Sequence, residues 1–246
     1  MITRPIKTRV FEEGEDLFAF VTWYLKKVPE RLVLVVTSKI VALAEERTAV
    51  AADEHAKEKL IREESEFALK TKYVWLTIKD GAVMASAGID ESNANGKLIL
   101  LPKDSFKIAR ILRKKLRQHY KVKELGVLIT DSRTIPLRAG VGGVALGYAG
   151  FRGIRDYRGT PDIFGRILTF SRTDVADSLA TAAVLVMGEG NEQRPLALIT
   201  KAPVEFRDTI SRTELRIDIK DDMYRPLFSK LRQSQNKQRT RLSRPK

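Results

Sequence analysis

The sequence predicts an α+β fold, with mixed β-sheets and packed helices arranged as two intertwined lobes. Three observations carry this expectation. Apolar runs alternate irregularly with amphipathic stretches, which argues against a simple doubly wound sheet. The run RLVLVVTS, residues 31–38, is too continuously apolar for a half-exposed strand and reads as the centre of a sheet. A segment spanning residues 138–166 holds eight glycines in 29 positions, so its backbone can pack closely against neighbouring elements. At 246 residues the chain can bury a substantial core, and no repeat or clean linker precedes about residue 230. Residues 1–229 are therefore expected to form the folded domain and residues 230–246 a basic, disordered tail.

The elements follow in order. Glu15 to Lys27 carries Leu17, Phe18, Val21, Tyr24 and Leu25 at helical spacing, and Pro29 ends it. After the central strand, the charged stretch from Asp53 to Lys70 reads as a helix whose mixed face carries Leu60, Ile61, Glu64, Phe67 and Ala68. KYVWLTI and AVMASAGI flank Asp80-Gly81, a hairpin signal, and Asn95-Gly96 marks a second tight turn before the apolar run Leu98 to Leu101. Lys103 to Tyr120 is a basic amphipathic helix with an apolar stripe of Ile108, Ile111, Leu112 and Leu116. ELGVLITDS, residues 124–132, reads as a buried strand ending in Asp131-Ser132. A helix over 171–188 opens at a Ser/Thr cap and closes at Gly188, and its alanines permit close approach to a neighbour. PLALIT (195–200) and TELRIDI (213–219) complete the expected strands.

Composition narrows the chemistry. The chain has no Cys, which excludes disulfides, a thiolate nucleophile and thiolate metal ligands. Its two His, His55 and His119, lie in charged helical surroundings, so a metal would need oxygen ligands, favouring Mg²⁺ or Mn²⁺ over zinc. No apolar run approaches the roughly 20 residues that span a bilayer, and the start lacks the apolar core of a signal peptide, which points to a cytoplasmic protein. The net charge of +14 attracts phosphate from any source. Seven Lys/Arg and no acid lie in residues 230–246, half of that excess. Solvation is the plainer reading of the tail and the basic helix; contact with RNA or another polyanion is the sharper one, unsupported by any RNP-type aromatic motif or zinc knuckle.

Several candidate sites arise from the residues themselves. Gly140, Gly142 and Ala145 fit G-x-G-x-x-A, but Pro136 follows the preceding strand and no good helix opens there. Tyr148 stands where a Walker A lysine would follow Gly147. More suggestive are Asp90 with Asn93, and Asp131 with Ser132, each set following an apolar strand. Such an arrangement can aim two carboxylates into one crevice. Turn formation by Asx and Ser explains the same residues and is favoured on spacing alone. Glu189 follows the glycine that ends the Ala-rich helix, in a loop with exposed amides, so three acids at element ends could hold a divalent cation.

A series of blocks then points to a family. SKIVALAE (38–45), ASAGIDESNANG (85–96), LLPKD (100–104), GVLITDSRTIPLRAG (126–140), VALGYAG (144–150), RDYRGTPDIFGR (155–166) and DVADSLATAAVLVMGEG (174–190) occur in the order found in the coenzyme F420-0:L-glutamate ligases. The chain resembles that family over roughly residues 8–202. The resemblance implies a ligase that uses GTP and Mg²⁺ or Mn²⁺, with K⁺ as a further cation, to join L-glutamate to the carboxylate of F420-0 or a similar acid through an acyl phosphate. It implies a homodimer sharing sheets between protomers, acting on small molecules with no membrane partner. Carried over by position, Asp90 and Asp131 are the catalytic acids. Asp90, Asp131, Ser132 and Glu189 would meet the metal, and Asn93 and Arg138 the substrate. The nucleotide would lie against Thr8, Arg9, Val10 and Phe11, against Ser38 and Lys39, and in the loop Met187, Gly188, Glu189, Gly190, Asn191, Glu192, Gln193 and Arg194.

The chain also departs from the family pattern. Thr134 and Ile135 replace Gly and Arg after the Asp-Ser pair, while Pro136 and Arg138 remain. Val141-Gly142 replaces a Gln-containing turn, and Leu43 stands where a second lysine is expected at the nucleotide. Thr8-Arg9 replaces Leu-Pro, and Glu189 falls where relatives carry Gln or Lys. These changes leave two other readings open: an amino-acid ligase with a different acceptor acid, and a non-catalytic basic module that binds RNA or another polyanion.

Overall fold

The computed structural model describes residues 1–227. The basic tail expected at 230–246 lies outside the described residues. By internal contacts the chain divides into two compact units, Met1–Ala51 with Ile89–Leu215, and Ala52–Gly88 with the segment from Arg216 onward. The sheets are mixed and the helices pack against them, an α+β fold as the sequence predicts.

The first unit opens with β1 (Ile2–Ile6), α1 (Leu17–Tyr24), β2 (Leu32–Thr37), α2 (Ser38–Ala44) and β3 (Thr48–Ala49). The second unit follows with α3 (Glu54–Glu63), β4 (Phe67–Lys70), β5 (Trp75–Lys79) and β6 (Ala82–Ala85), whose strands form a three-stranded antiparallel sheet. The chain then returns to the first unit for β7 (Leu98–Ile99), α4 (Ser105–Tyr120), β8 (Leu125–Thr134), β9 (Val141–Ala149), β10 (Ile154–Asp156), β11 (Arg172–Asp174), α5 (Val175–Met187) and β12 (Leu196–Thr200).

A five-stranded sheet, ordered β1-β12-β2-β8-β9, is the frame of the first unit, and its β2–β8 pair is parallel while the others are antiparallel. The continuous apolar run of β2 follows from its place in this sheet, because both faces are covered. Leu32, Leu34 and Val36 pack with Phe20, Val21, Leu112 and Leu116 of α1 and α4. Val33 and Val35 face the other way, onto Val175, Leu179 and Ala183 of α5. Aspartates cap α1, α3, α4 and α5: Asp16, Asp53, Asp104 and Asp174 each accept from the backbone amide three residues on.

The Gly-rich segment is β9 and the hairpin beyond it. A Cβ on Gly143 would come within 2.3 Å of the Ala180 backbone, so glycine and the alanines of α5 together set the strand-to-helix distance. Gly147 plays the same part where α4 begins, 2.4 Å from the Phe106 amide.

Four expectations are corrected. The helix expected over Asp53–Lys70 stops at Glu63, because Phe67–Lys70 pairs antiparallel with Trp75–Ile78 and a four-residue pairing overrides local helical spacing. TELRIDI forms turns, not a strand; the Glu214 side chain is drawn inward to accept from the Tyr148 hydroxyl at 2.5 Å and the Gly153 amide at 2.7 Å. The cap of α5 is Asp174, with the Ser/Thr residues before it lying in or beside β11. Strand β8 does not end at Asp131-Ser132 but runs on to Thr134, paired with β9. Among the described residues no helix is long and apolar enough to cross a membrane.

Candidate active site at the end of the central strands

Asp131 reaches its position through a change of register. The β8–β9 ladder shifts between Ile129 and Thr130, and the Thr130 hydroxyl donates to the Val144 carbonyl at 2.9 Å. Such an irregularity bends the strand and redirects the side chains that follow it. Beyond it the Asp131 carboxyl is crowded by protein, and Oδ1 accepts from the Ser132 amide at 2.9 Å. Burial pushes its pKa up to about 6; the Ser132 amide and Lys39 oppose the rise, and the charges of Asp90 and Glu189 add to it.

Asp90 is placed by a single antiparallel bridge to Ile99, both backbone hydrogen bonds measuring 2.9 Å. The turn at Asn95-Gly96, both at positive φ, closes this short loop, and β7 continues from it to pair with β3. Lys39, at the start of α2, sets its Nζ 2.7 Å from Asp90 Oδ2 and 3.1 Å from both the Ser92 carbonyl and hydroxyl. Ser92 returns its amide to Asp90 Oδ1 at 2.6 Å. Burial alone would raise the Asp90 carboxyl, but Lys39 and the Ser92 hydrogen bonds outweigh it and hold it below the usual carboxylate value.

The loop after α5 closes onto this group. Ser132 Oγ lies 3.1 Å from Glu189 Oε2, and Asn93 Nδ2 donates to the Gly190 carbonyl at 3.3 Å. The Thr8 amide donates to the Gln193 carbonyl at 2.9 Å, which joins the N-terminal segment to the same loop. Glu192 folds inward and accepts from the Gly190 amide at 2.8 Å, while Arg194 donates to the Val186 carbonyl at 3.3 Å. The Gly190 amide therefore already holds one anion, a carboxylate where the resemblance expects phosphate.

Other anticipated residues serve mainly as framework. Phe11 is buried edge-on to Phe20, Met187 is core, and Ser38 is buried. Arg9 is paired with Glu15 and stacks over Phe20. Val10, Gly188 and Asn191 are exposed. Arg138 is exposed on the turn joining β8 to β9, and no hydrogen bond or ion pair among the described residues ties its side chain to the acids. Leu43, at the missing lysine, packs against the core of the first unit.

Sequence reasoning missed one part. Asp177 Oδ2 accepts from Arg133 at 2.7 Å and its Oδ1 from the Ala145 amide at 2.9 Å, pinning α5 to both strands beside the site. Its place in the first turn after a cap was the available signal, but nothing in the sequence pairs it with Arg133.

Among the described residues no three His, Cys, Asp or Glu side chains converge as a ready metal-holding group. The donor set still fits a hard cation by charge and chemistry: Asp131 is crowded by protein, and two further carboxylates raise the cost of its ionisation. In the structure the ammonium of Lys39 supplies the positive charge.

The family described as F420-0:Gamma-glutamyl ligase matches residues 5–201. A coenzyme F420:L-glutamate ligase of Methanococcus maripaludis (strain C7) is 39% identical over 148 residues, 60% of this chain and 59% of that protein. Relatives of the same name from Haloarcula marismortui and Archaeoglobus fulgidus are 35% and 32% identical, covering 76% and 77% of this chain and 72% and 83% of theirs. The chain thus spans about three fifths of the length of the Methanococcus protein.

Proposed function

The chain belongs to the F420-0:gamma-glutamyl ligase family, and from that premise we propose that it is a GTP-dependent ligase joining L-glutamate to the carboxylate of F420-0 or a related acid. The observation that carries the reading is the crowded Asp131 carboxyl, set among Asp90, Glu189 and Lys39 at the sheet end where the nucleotide loop closes. The acceptor carboxylate attacks the γ-phosphorus of GTP, the bond to GDP breaks, and an acyl phosphate forms. The glutamate amine then attacks the acyl carbon, phosphate leaves, and the amine gives up a proton. A divalent cation held by Asp90 and Asp131, with Ser132 and Glu189 beside it, would offset the charge of the triphosphate and of the transferring group. Lys39 and the amides of Glu189 and Asn191 would hold the phosphates, joined by the Gly190 amide once Glu192 swings away, and Asn93 would orient the substrate across the loop.

Purified protein with GTP, Mn²⁺, L-glutamate and F420-0 should release GDP and yield a product one glutamyl unit heavier. Nucleotide turnover without that mass gain would reject F420-0 as acceptor.

A second reading keeps nucleotide and cation but changes the acceptor. It is favoured by Leu43, which turns into the core where a phosphate-facing lysine is expected, and by Ile135, half exposed on the turn beside the site. If Asp131→Asn abolishes GTP turnover in a metabolite extract while F420-0 leaves that turnover unchanged, this reading replaces the first.

We further propose a homodimer. The hairpin carrying β10 and β11 exposes Ile163, Phe164, Ile167 and Phe170 at 91%, 89%, 55% and 89%. Burying four such side chains from each of two copies removes on the order of 1,000 Å² from water, the floor for a stable interface.

A further inference from the structure

We propose that Lys39 is a built-in counter-ion for the acid group, which a divalent cation must displace before the site is ready for nucleotide. The inference rests on the reading that Asp90 and Asp131 hold a divalent cation. An ammonium carries three protons. In this structure Lys39 finds three acceptors, Asp90 Oδ2 at 2.7 Å and the carbonyl and hydroxyl oxygens of Ser92 at 3.1 Å each. Asp90 is equally occupied: Oδ1 takes the Ser92 amide at 2.6 Å, and Oδ2 takes the Ser92 hydroxyl at 3.0 Å as well as Lys39.

A cation bound to Asp90 would sit within a few ångströms of the Lys39 charge, where like charges repel. One of the two must go. Lysine can, because its charge rides on a flexible four-carbon stem and its exchange leaves α2 in place. Lys39 is only partly exposed, with its side chain at 26%, yet its three contacts all lie on half-buried Asp90 and exposed Ser92 and none lies in the core. Once released, the ammonium is free to take a phosphate oxygen. Metal and nucleotide would then bind cooperatively, because the cation frees the lysine and the nucleotide gives it a new partner. The same linkage makes the metal-free site indifferent to free Mg²⁺ at low concentration, since Lys39 already neutralises it.

The test is Mn²⁺ binding by the full chain, followed by electron paramagnetic resonance of the free ion, with and without GTP. Lys39→Met should bind Mn²⁺ about tenfold more tightly than the natural chain in the absence of nucleotide. After correction for Mn²⁺ chelated by GTP alone, GTP should tighten Mn²⁺ binding more in the natural chain than in Lys39→Met. Lys39→Arg, which keeps the charge beside Asp90, should retain the weak metal binding of the natural chain. Lys39→Gln replaces Lys39→Met should the latter not fold by circular dichroism. Equal or weaker Mn²⁺ binding by the uncharged variant, with the natural chain binding normally, overturns the exchange alone. No loss of free Mn²⁺ beyond that caused by GTP alone, in every variant, overturns the metal reading of the acids and the exchange with it.

Discussion

Ser132 Oγ and Glu189 Oε2 meet at 3.1 Å, tying the outer part of β8 to the loop that follows α5. Through that contact a sheet position and a position in the loop after α5 become one group with Asp131. The Asp131 carboxyl carries a penalty in the absence of a cation, because burial and two neighbouring acids oppose its charge. Asp131→Asn removes the charge at nearly constant shape. It should leave thermal stability equal or higher and lower ligase turnover by roughly 100-fold or more. A melt and a steady-state assay on one preparation check this, and a variant that melts markedly earlier would mean that Asp131 is structural.

Asp174 allows a pH prediction away from the site. Burial pushes its carboxyl up to about 6, with Asp177 adding to the rise after its amide has partly opposed it. An unfolded aspartate titrates near 3.9, so between about 4 and 6 the folded chain binds more protons than the unfolded one. Stability from this group is therefore fully present below about 4 and is lost as pH rises through 6. Asp174→Asn keeps an effective cap for α5 and cannot ionise. Its stability advantage over the natural chain should grow from pH 4 to pH 7 in urea titrations. Parallel curves would show that Asp174 does not titrate in this range; Asp131, raised in the same direction, leaves a residual slope common to both proteins.

What could be read from the sequence depended on how local the cause was. Strand β2 is legible because both its faces are apolar, and the Asp80-Gly81 hairpin because its turn needs positive φ at both positions. Segment Phe67–Lys70 was not, since its strand exists only through pairing with β5. Residues 213–219 mislead for a similar reason: Glu214 is used by Tyr148 and Gly153, 61 residues or more away. In the site, Asp90 and Asp131 were visible as acids after apolar runs. Their approach depends on the shifted β8–β9 register and the Asp90–Ile99 bridge, and neither leaves a mark in residue spacing. Ordered family blocks supplied the association that periodicity could not.

Gly143 tests the packing of α5 on β9. A methyl group there would stand 2.3 Å from the Ala180 carbonyl, against backbone with no flexible side chain to yield. Gly143→Ala should destabilise the chain by roughly 1–3 kcal/mol, the range for overpacking a core. Chemical denaturation should show a lower midpoint with an unchanged slope. Gly140→Ala is a poor control because its φ of 87° strains any other residue; Gly142→Ala, whose nearest neighbour is the Ile135 side chain at 3.6 Å, should be close to neutral.

The exposed hairpin between β10 and β11 leads to a prediction about assembly. Its polar side chains are largely satisfied within the hairpin, with Asp156 paired to Arg158 and Asp162 accepting the amides of Phe164 and Arg166. Ile163, Phe164, Ile167 and Phe170 are exposed along it, and large exposed apolar side chains gathered in one segment mark an interface. A double change, Phe164→Asp with Phe170→Asp, places two charges in the patch without touching either core, since neither residue belongs to the buried clusters. Light scattering should give twice the chain mass for the natural protein at tens of micromolar and the single mass for the variant, with circular dichroism spectra superimposable. A natural chain that stays monomeric throughout that range, or a variant that remains dimeric, would remove this hairpin as the contact between copies.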